Sequence, residues 1–175
     1  MNFGSLPLWN PYIFSGSPFI GNPSSSMFYP LNLLFLLFPI DNAFNYMFVL
    51  DSFLIGFFTF LFATSINLSR FSAFTSGVTM MFGGPMLSQI LPGNLINFDT
   101  FIWFPLILLV YEKAIKKQKI IYAIFAGFPI ALTILAGATQ IALFSLLSAS
   151  IYYFLRATTL NPQSNKFSYF KKIIK

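Results

Sequence analysis

Ala43–Ser65 reads AFNYMFVLDSFLIGFFTFLFATS, and it sets the architecture of the chain. Its only charged residue is Asp51. At 1.5 Å per residue a helix of this length reaches about 34 Å, enough to cross the roughly 30 Å hydrocarbon core of a bilayer. Composition extends that reading to the whole chain. Hydrophobic residues make up 57% of it and charged residues 8%, too little charge to cover the surface of a water-soluble domain. The expectation is an all-α, polytopic integral membrane protein.

Toward the carboxyl end, Asn67-Leu68-Ser69-Arg70 forms a polar turn, with Ser69 placed to cap the next helix. Phe71 to Leu91 is a weaker span, interrupted by Gly77, Gly83, Gly84 and Pro85. Broken helices at membrane depth face protein or a water-filled cavity. Pro92 to Asp99 is a short polar loop without Lys or Arg. Thr100 to Tyr111 is apolar but short, so an extra turn at one end is expected. Glu112 to Lys119, EKAIKKQK, must be in water. The apolar run from Ile120 to Ile151 is too long for one span and fits two joined at Gly137-Ala138-Thr139-Gln140, with Pro129 kinking the first. Arg156 ends the last span, and Asn161 to Lys175 is a basic, polar tail.

Toward the amino end, Leu31–Ile40 (LNLLFLLFPI) reaches only about 15 Å as a helix. It reads as an interfacial or re-entrant helix ended by Pro39, or as the start of the next span. Before it lies LPLWNPYIFSGSPFIGNPSSSMFYPLN, residues 6–32, with five prolines and no charge. The prolines exclude one continuous helix, and the aromatic and amide content suits the water–lipid boundary. The domain plan is therefore an extracytoplasmic aromatic loop with a short interfacial helix (1–42), a transmembrane bundle (43–156) and a basic cytoplasmic tail (157–175).

The cations predict topology. Arg70, the cluster Lys113, Lys116, Lys117 and Lys119, and the tail from Arg156 onward belong on the cytoplasmic side, with two spans between each successive pair of these regions. That makes about five spans in the cytoplasmic (inner) membrane of a prokaryote, with the amino end outside. An outside amino end and the lack of Lys or Arg in the first forty residues imply an upstream first helix rather than a signal peptide.

Cysteine and histidine are both absent, which excludes disulfides, thiolate metal sites and Cys or His catalysis. No cofactor motif and no metal site is evident; a divalent cation would have to be a hard ion on oxygen ligands. The net charge of +6 sits in clusters between apolar runs, so membrane lipid rather than nucleic acid is the expected partner. Only Asp41, Asp51, Asp99 and Glu112 offer carboxyl chemistry.

Asp51 is the sharpest candidate, because an ionisable group inside a span marks a functional site by default. It is also explained by a hydrated position near the interface or by a bond to a neighbouring helix. Asp99 is placed to meet a cation or a substrate hydroxyl, or to cap the helix from Thr100. Asp41 is placed to cap the Ala43 helix, and Glu112 to pair, exposed, with Lys116. Gln140 reads as a buried amide, for a polar substrate or a helix–helix bond. Trp9, Tyr12, Phe14, Phe19, Phe28 and Tyr29 suit stacking on sugar or polyprenyl, or an interfacial belt.

Leu6 to Phe35 resembles the YfhO-like bacterial membrane proteins, in which a "PlWNPy-F-G-PF--NPQS--FYPLNLLF" pattern follows the first helix. Leu68-Ser69-Arg70, Thr100-Phe101-Ile102-Trp103-Phe104-Pro105-Leu106 ("T--W-PL") and Leu135-Ala136-Gly137-Ala138-Thr139-Gln140 ("-GH-Q") are similar to later signatures, in the same order. The resemblance implies a GT-C-type glycosyltransferase architecture, which moves a sugar from a polyprenyl-phosphate donor to an extracytoplasmic acceptor. It implies substrate contacts from Trp9, Asn10, Tyr12, Asn22, Tyr29 and Gln140. Such enzymes carry an acidic residue in the first outer loop. Here no carboxylate precedes Asp41, so the main acid is expected upstream, with Asp51 and Asp99 as the candidates within this chain. Ala138 stands where the family pattern has histidine. A transporter or channel subunit using Asp51, and a non-catalytic membrane scaffold, are the alternatives.

Overall fold

Ala43, Met47, Asp51 and Ile55 recur every four residues, so on a helix they form one face, and all four are buried. In the computed structural model, which describes residues 8–12 and 15–160, they line the inner side of α2 (Ile40–Ser65). Phe14 and the basic tail Asn161–Lys175 lie outside the described residues.

The fold is mostly helical. A two-residue antiparallel ladder opens it, β1 (Trp9–Asn10) against β2 (Ser17–Pro18). Two 3-10 turns, Pro23–Ser25 and Pro30–Leu33, lead into the single turn α1 (Leu34–Leu37), so the run before Pro39 is a short helix as expected. After α2 come α3 (Arg70–Phe82), α4 (Gly84–Ile90), α5 (Leu95–Phe101), α6 (Phe104–Lys117), α7 (Ile120–Leu135) and α8 (Thr139–Leu160).

The sequence punctuation acts as expected at several points. The Ser69 hydroxyl accepts a hydrogen bond from the Ser72 amide at 3.2 Å and caps α3. The helix breaks at Gly83, whose extended backbone separates α3 from α4. Gly137 takes φ +99° between α7 and α8, a conformation that suits glycine. Pro129 lies inside α7. Pro105 sits in the first turn of α6, where its missing N–H costs no helical bond, and the break at Ile102–Trp103 precedes it.

Three stretches are long and apolar enough to cross a membrane: Ile40–Ser65, Leu95–Lys117 and Thr139–Thr159. α7, Ile120–Leu135, is apolar but shorter. Burial is inverted relative to a water-soluble protein. Phe53, Phe57, Phe71, Phe128 and Phe144 are exposed, whereas Asp51, Asp99, Glu112, Thr100 and Thr133 are buried. An outer surface this rich in phenylalanine fits lipid rather than water.

α2 packs along α3 and against α6, and α6 in turn contacts α7 and α8. Gly56 and Gly77 let α2 and α3 approach closely: a Cβ on Gly77 would lie 2.8 Å from the Gly56 carbonyl oxygen. The main apolar cluster joins Met47, Ile55, Phe98, Ile102, Trp103 and Leu132 with Tyr29 from the amino-terminal loop.

The two ends of the bundle differ. At one end the loop folds back onto the helices, the Ser26 hydroxyl donating to the Ala136 carbonyl at 2.6 Å, and the α7–α8 turn is tied to α5 by the Ala138 amide, which donates to the Thr100 hydroxyl at 3.2 Å. At the other end the Lys116 ammonium donates to the Ser65 carbonyl, and Glu112 of α6 meets Arg156 of α8.

Candidate functional site

Tyr29 joins the loop to the interior. The 3-10 turns at Pro23–Ser25 and Pro30–Leu33 flank it, and its ring is 1% exposed. Its hydroxyl accepts a hydrogen bond from the Trp103 indole N–H at 3.0 Å and faces the Asp99 main-chain carbonyl at 3.4 Å. Burial first, then the nearby Asp99 and Asp51 carboxyls, push the Tyr29 hydroxyl pKa up, so it stays a neutral donor.

Beneath Tyr29 the structure brings the two candidate acids together. Asp51, near the middle of α2, is 0% exposed, and Asp99, on α5, is 2% exposed. The two helices pack against each other, and their side-chain carboxyls interact in the interior. Both carboxyl oxygens of Asp51 and Oδ1 of Asp99 have no hydrogen-bond donor among the described residues.

Asp99 does not cap a helix starting at Thr100. It lies inside α5, which begins at Leu95, because Leu95 and Phe98 bury one face and carry the helix back past Asp99. Asp41 is likewise inside α2, in its exposed first turn, where its charge complements the helix N-terminus; Pro39 holds the cap position without a side-chain bond.

The remaining predicted contacts divide. Asn10 and Asn22 line one groove of about 480 Å³ with Ser17, Phe19, Ser24 and Ser25. Each amide shapes its own loop: Asn10 Oδ1 accepts from the Tyr12 amide at 3.0 Å, and Asn22 Oδ1 from the Ser24 amide at 3.1 Å. The Trp9 ring lies against Gly16, where a Cβ would come within 2.7 Å of the indole. Trp9, Tyr12 and Phe28 are exposed, and Phe19 is half-buried. Gln140 is not a buried amide: it is exposed in the first turn of α8, which turns it away from the interior.

Glu112 also departs from expectation. It does pair with Lys116, at 3.2 Å, but its side chain is 0% exposed. Arg156 of α8 grips both oxygens at 3.1 Å, and the Tyr152 hydroxyl donates to Oε2 at 2.8 Å. Arg156 therefore does not end its helix, which continues to Leu160.

A feature the sequence did not mark is an apolar cleft of about 360 Å³ between α4, α5, α6 and α8. Phe98, Phe101, Phe104, Ile141 and Phe144 line it, with Asn97 bonded to Gln89 at 3.2 Å at its polar edge. Only the long-range arrangement creates it. Among the described residues no group of three or more acidic or histidine side chains is placed to hold a metal.

Comparison of the chain with protein-family models, with curated proteins and with solved structures finds no match.

Proposed function

We propose that the loop-bearing end of this chain binds a polyprenyl-phosphate-linked sugar, as part of a membrane glycosyltransferase of the GT-C type. One pairing of surfaces carries the reading: an uncharged groove of amides and hydroxyls, built by Asn10, Ser17, Asn22 and Ser24, on a bundle that also opens an apolar, phenylalanine-lined cleft. A lipid-linked sugar presents the same two chemistries, a hydroxylated head and an isoprenoid tail. The resemblance of Leu6–Phe35 to the YfhO-like proteins supports the same assignment. In this reading α3–α4 and α7 are the second and fourth of five spans, the loop end is extracytoplasmic, and the Lys113–Lys119 end is cytoplasmic. Asp51 and Asp99 are buried in the bundle and line neither surface, so in this reading the loop groove binds substrate and the two acids do not act on it as a base.

The test is photolabelling of the full chain in lipid nanodiscs with a photoreactive polyprenyl-phosphate sugar. Labelling of residues 8–25 is expected, competed by unlabelled lipid-linked sugar and weakened about tenfold by Asn22→Ala, the loss of one or two hydrogen bonds. Equal labelling by a polyprenyl phosphate without sugar would remove the sugar-binding assignment.

The buried Asp51–Asp99 pair favours a second reading, ion or proton transport. It predicts flux in proteoliposomes that disappears with Asp51→Asn. A scaffold predicts that the same change alters only stability or assembly.

A further inference from the structure

We infer that Asp51 and Asp99 form a buried binding site for a single proton, held between their carboxyl oxygens beneath the docked amino-terminal loop. The inference is independent of the sugar-binding assignment, because it concerns a closed site inside the helices and not the loop groove.

Two observations carry it. The first is proximity: α2 packs against α5, and each helix buries one carboxyl in the interior of the bundle, where the two interact. The second is an unmet need for a donor. Asp51 is fully buried and neither of its oxygens has a partner among the described residues, and the same holds for Oδ1 of Asp99. Two carboxylates buried together this way repel, with little water to screen them. A proton on one oxygen turns the repulsion into an O–H···O hydrogen bond and satisfies both groups.

Among the described residues no other group supplies that donor. Tyr29 also bears on the pair, and its hydroxyl is engaged with Trp103 and the Asp99 main chain. The helices packed against α2 and α5 bring no cation to it. Arg70 of α3 heads its helix just after the Ser65–Ser69 turn. Lys113, Lys116 and Lys117 of α6 and Arg156 of α8 gather at that same end with Glu112. Histidine is absent from the sequence. A hard metal ion would want about six oxygen ligands, which two carboxyls do not provide. A proton needs two oxygens.

The loop is the cover of the site. Tyr29 closes it directly, and the Ser26 bond to Ala136 anchors the segment just before it. Proton exchange therefore proceeds through release of residues 23–29, and the pair links the proton content of the interior to the docking of the loop.

The sequence makes the test clean, because only four side-chain carboxyls exist. Infrared spectroscopy of the full chain in nanodiscs reads a protonated carboxyl by its C=O stretch and its shift in heavy water. Aspartate labelled with heavy carbon at the carboxyl separates the pair from Glu112. The expected result is one protonated aspartate band at neutral pH, lost in both Asp51→Asn and Asp99→Asn, since each amide donates to the remaining carboxylate. The unlabelled wild-type spectrum and its isotope shift need no variant to fold. Absence of a protonated aspartate band in the wild type overturns the proposal. So does a band that survives in both variants, which would place it on Asp41. A band abolished by adding sodium would assign the site to a metal cation instead, and overturns it equally.

Discussion

The Glu112 carboxylate and the Arg156 guanidinium meet as a two-pronged pair, with Nε to Oε2 and Nη2 to Oε1 both at 3.1 Å, across 44 residues of chain. Planar donor and planar acceptor match arm for arm, which an ammonium cannot do. Arg156→Ala leaves the buried Glu112 with Lys116 and Tyr152 alone. The expected loss is about 2 kcal/mol, below the usual cost for a fully buried pair because Arg156 is partly exposed. Arg156→Lys should recover less than half of it. Denaturant titration of the purified chain in detergent checks both. Equal stability of all three proteins would show that the pair does not hold α6 to α8.

Gly77 should tolerate no side chain. With 2.8 Å between its would-be Cβ and the Gly56 carbonyl oxygen, Gly77→Val must push α3 away from α2, at a cost of about 2 kcal/mol. The natural chain has no cysteine, so a pair of cysteines introduced across α2 and α3 reports the spacing without background. Slower disulfide formation in Gly77→Val is the expected sign, and an unchanged rate would rule out the close approach.

Tyr29→Phe removes the acceptor for the Trp103 indole N–H and should cost about 1 kcal/mol. The sequence has only two tryptophans, so a Trp9→Phe background isolates Trp103 fluorescence. Its emission should shift when Tyr29 is also changed. Identical spectra would show that the two side chains are not bonded.

Gly137→Ala should undock the loop. The left-handed backbone at Gly137 disfavours a Cβ, and that atom would fall 2.5 Å from both the Pro23 carbonyl and the Ser26 hydroxyl. Hydrogen exchange in residues 17–29 should rise well above wild type while α2 and α6 stay protected. Unaltered loop exchange would mean that the α7–α8 turn does not support it.

Local signals in the sequence were good guides to where helices break. Ser69, Gly83 and Gly137 each act through their own backbone or the next few residues, so neighbouring sequence carries the information. Pairings across the fold were not legible in the same way. Glu112 is four residues from Lys116 and looks exposed in that company; Tyr152 and Arg156 bury it from 40 and 44 residues away. Tyr29 sits among aromatics suited to an interface, and Asp99 and Trp103, 70 and 74 residues on, give it interior partners. Asp51 stood out as an acid in an apolar helix, yet nothing beside it announced Asp99 as its neighbour. Gln140 failed for a simpler reason: helix phase, set by the start of α8 at Thr139, rotates it outward.

The bond from Ser26 to Ala136 spans 110 residues, and it also has a direction in time. Ribosomes deliver the amino end first, so residues 17–29 emerge well before the α7–α8 turn that receives them. Until Gly137 is in place, the loop has no seat and Tyr29 has no closed interior to fill. A segment made about 110 residues before its seat is then among the last of these elements to settle, and it waits on the α7–α8 turn to do so.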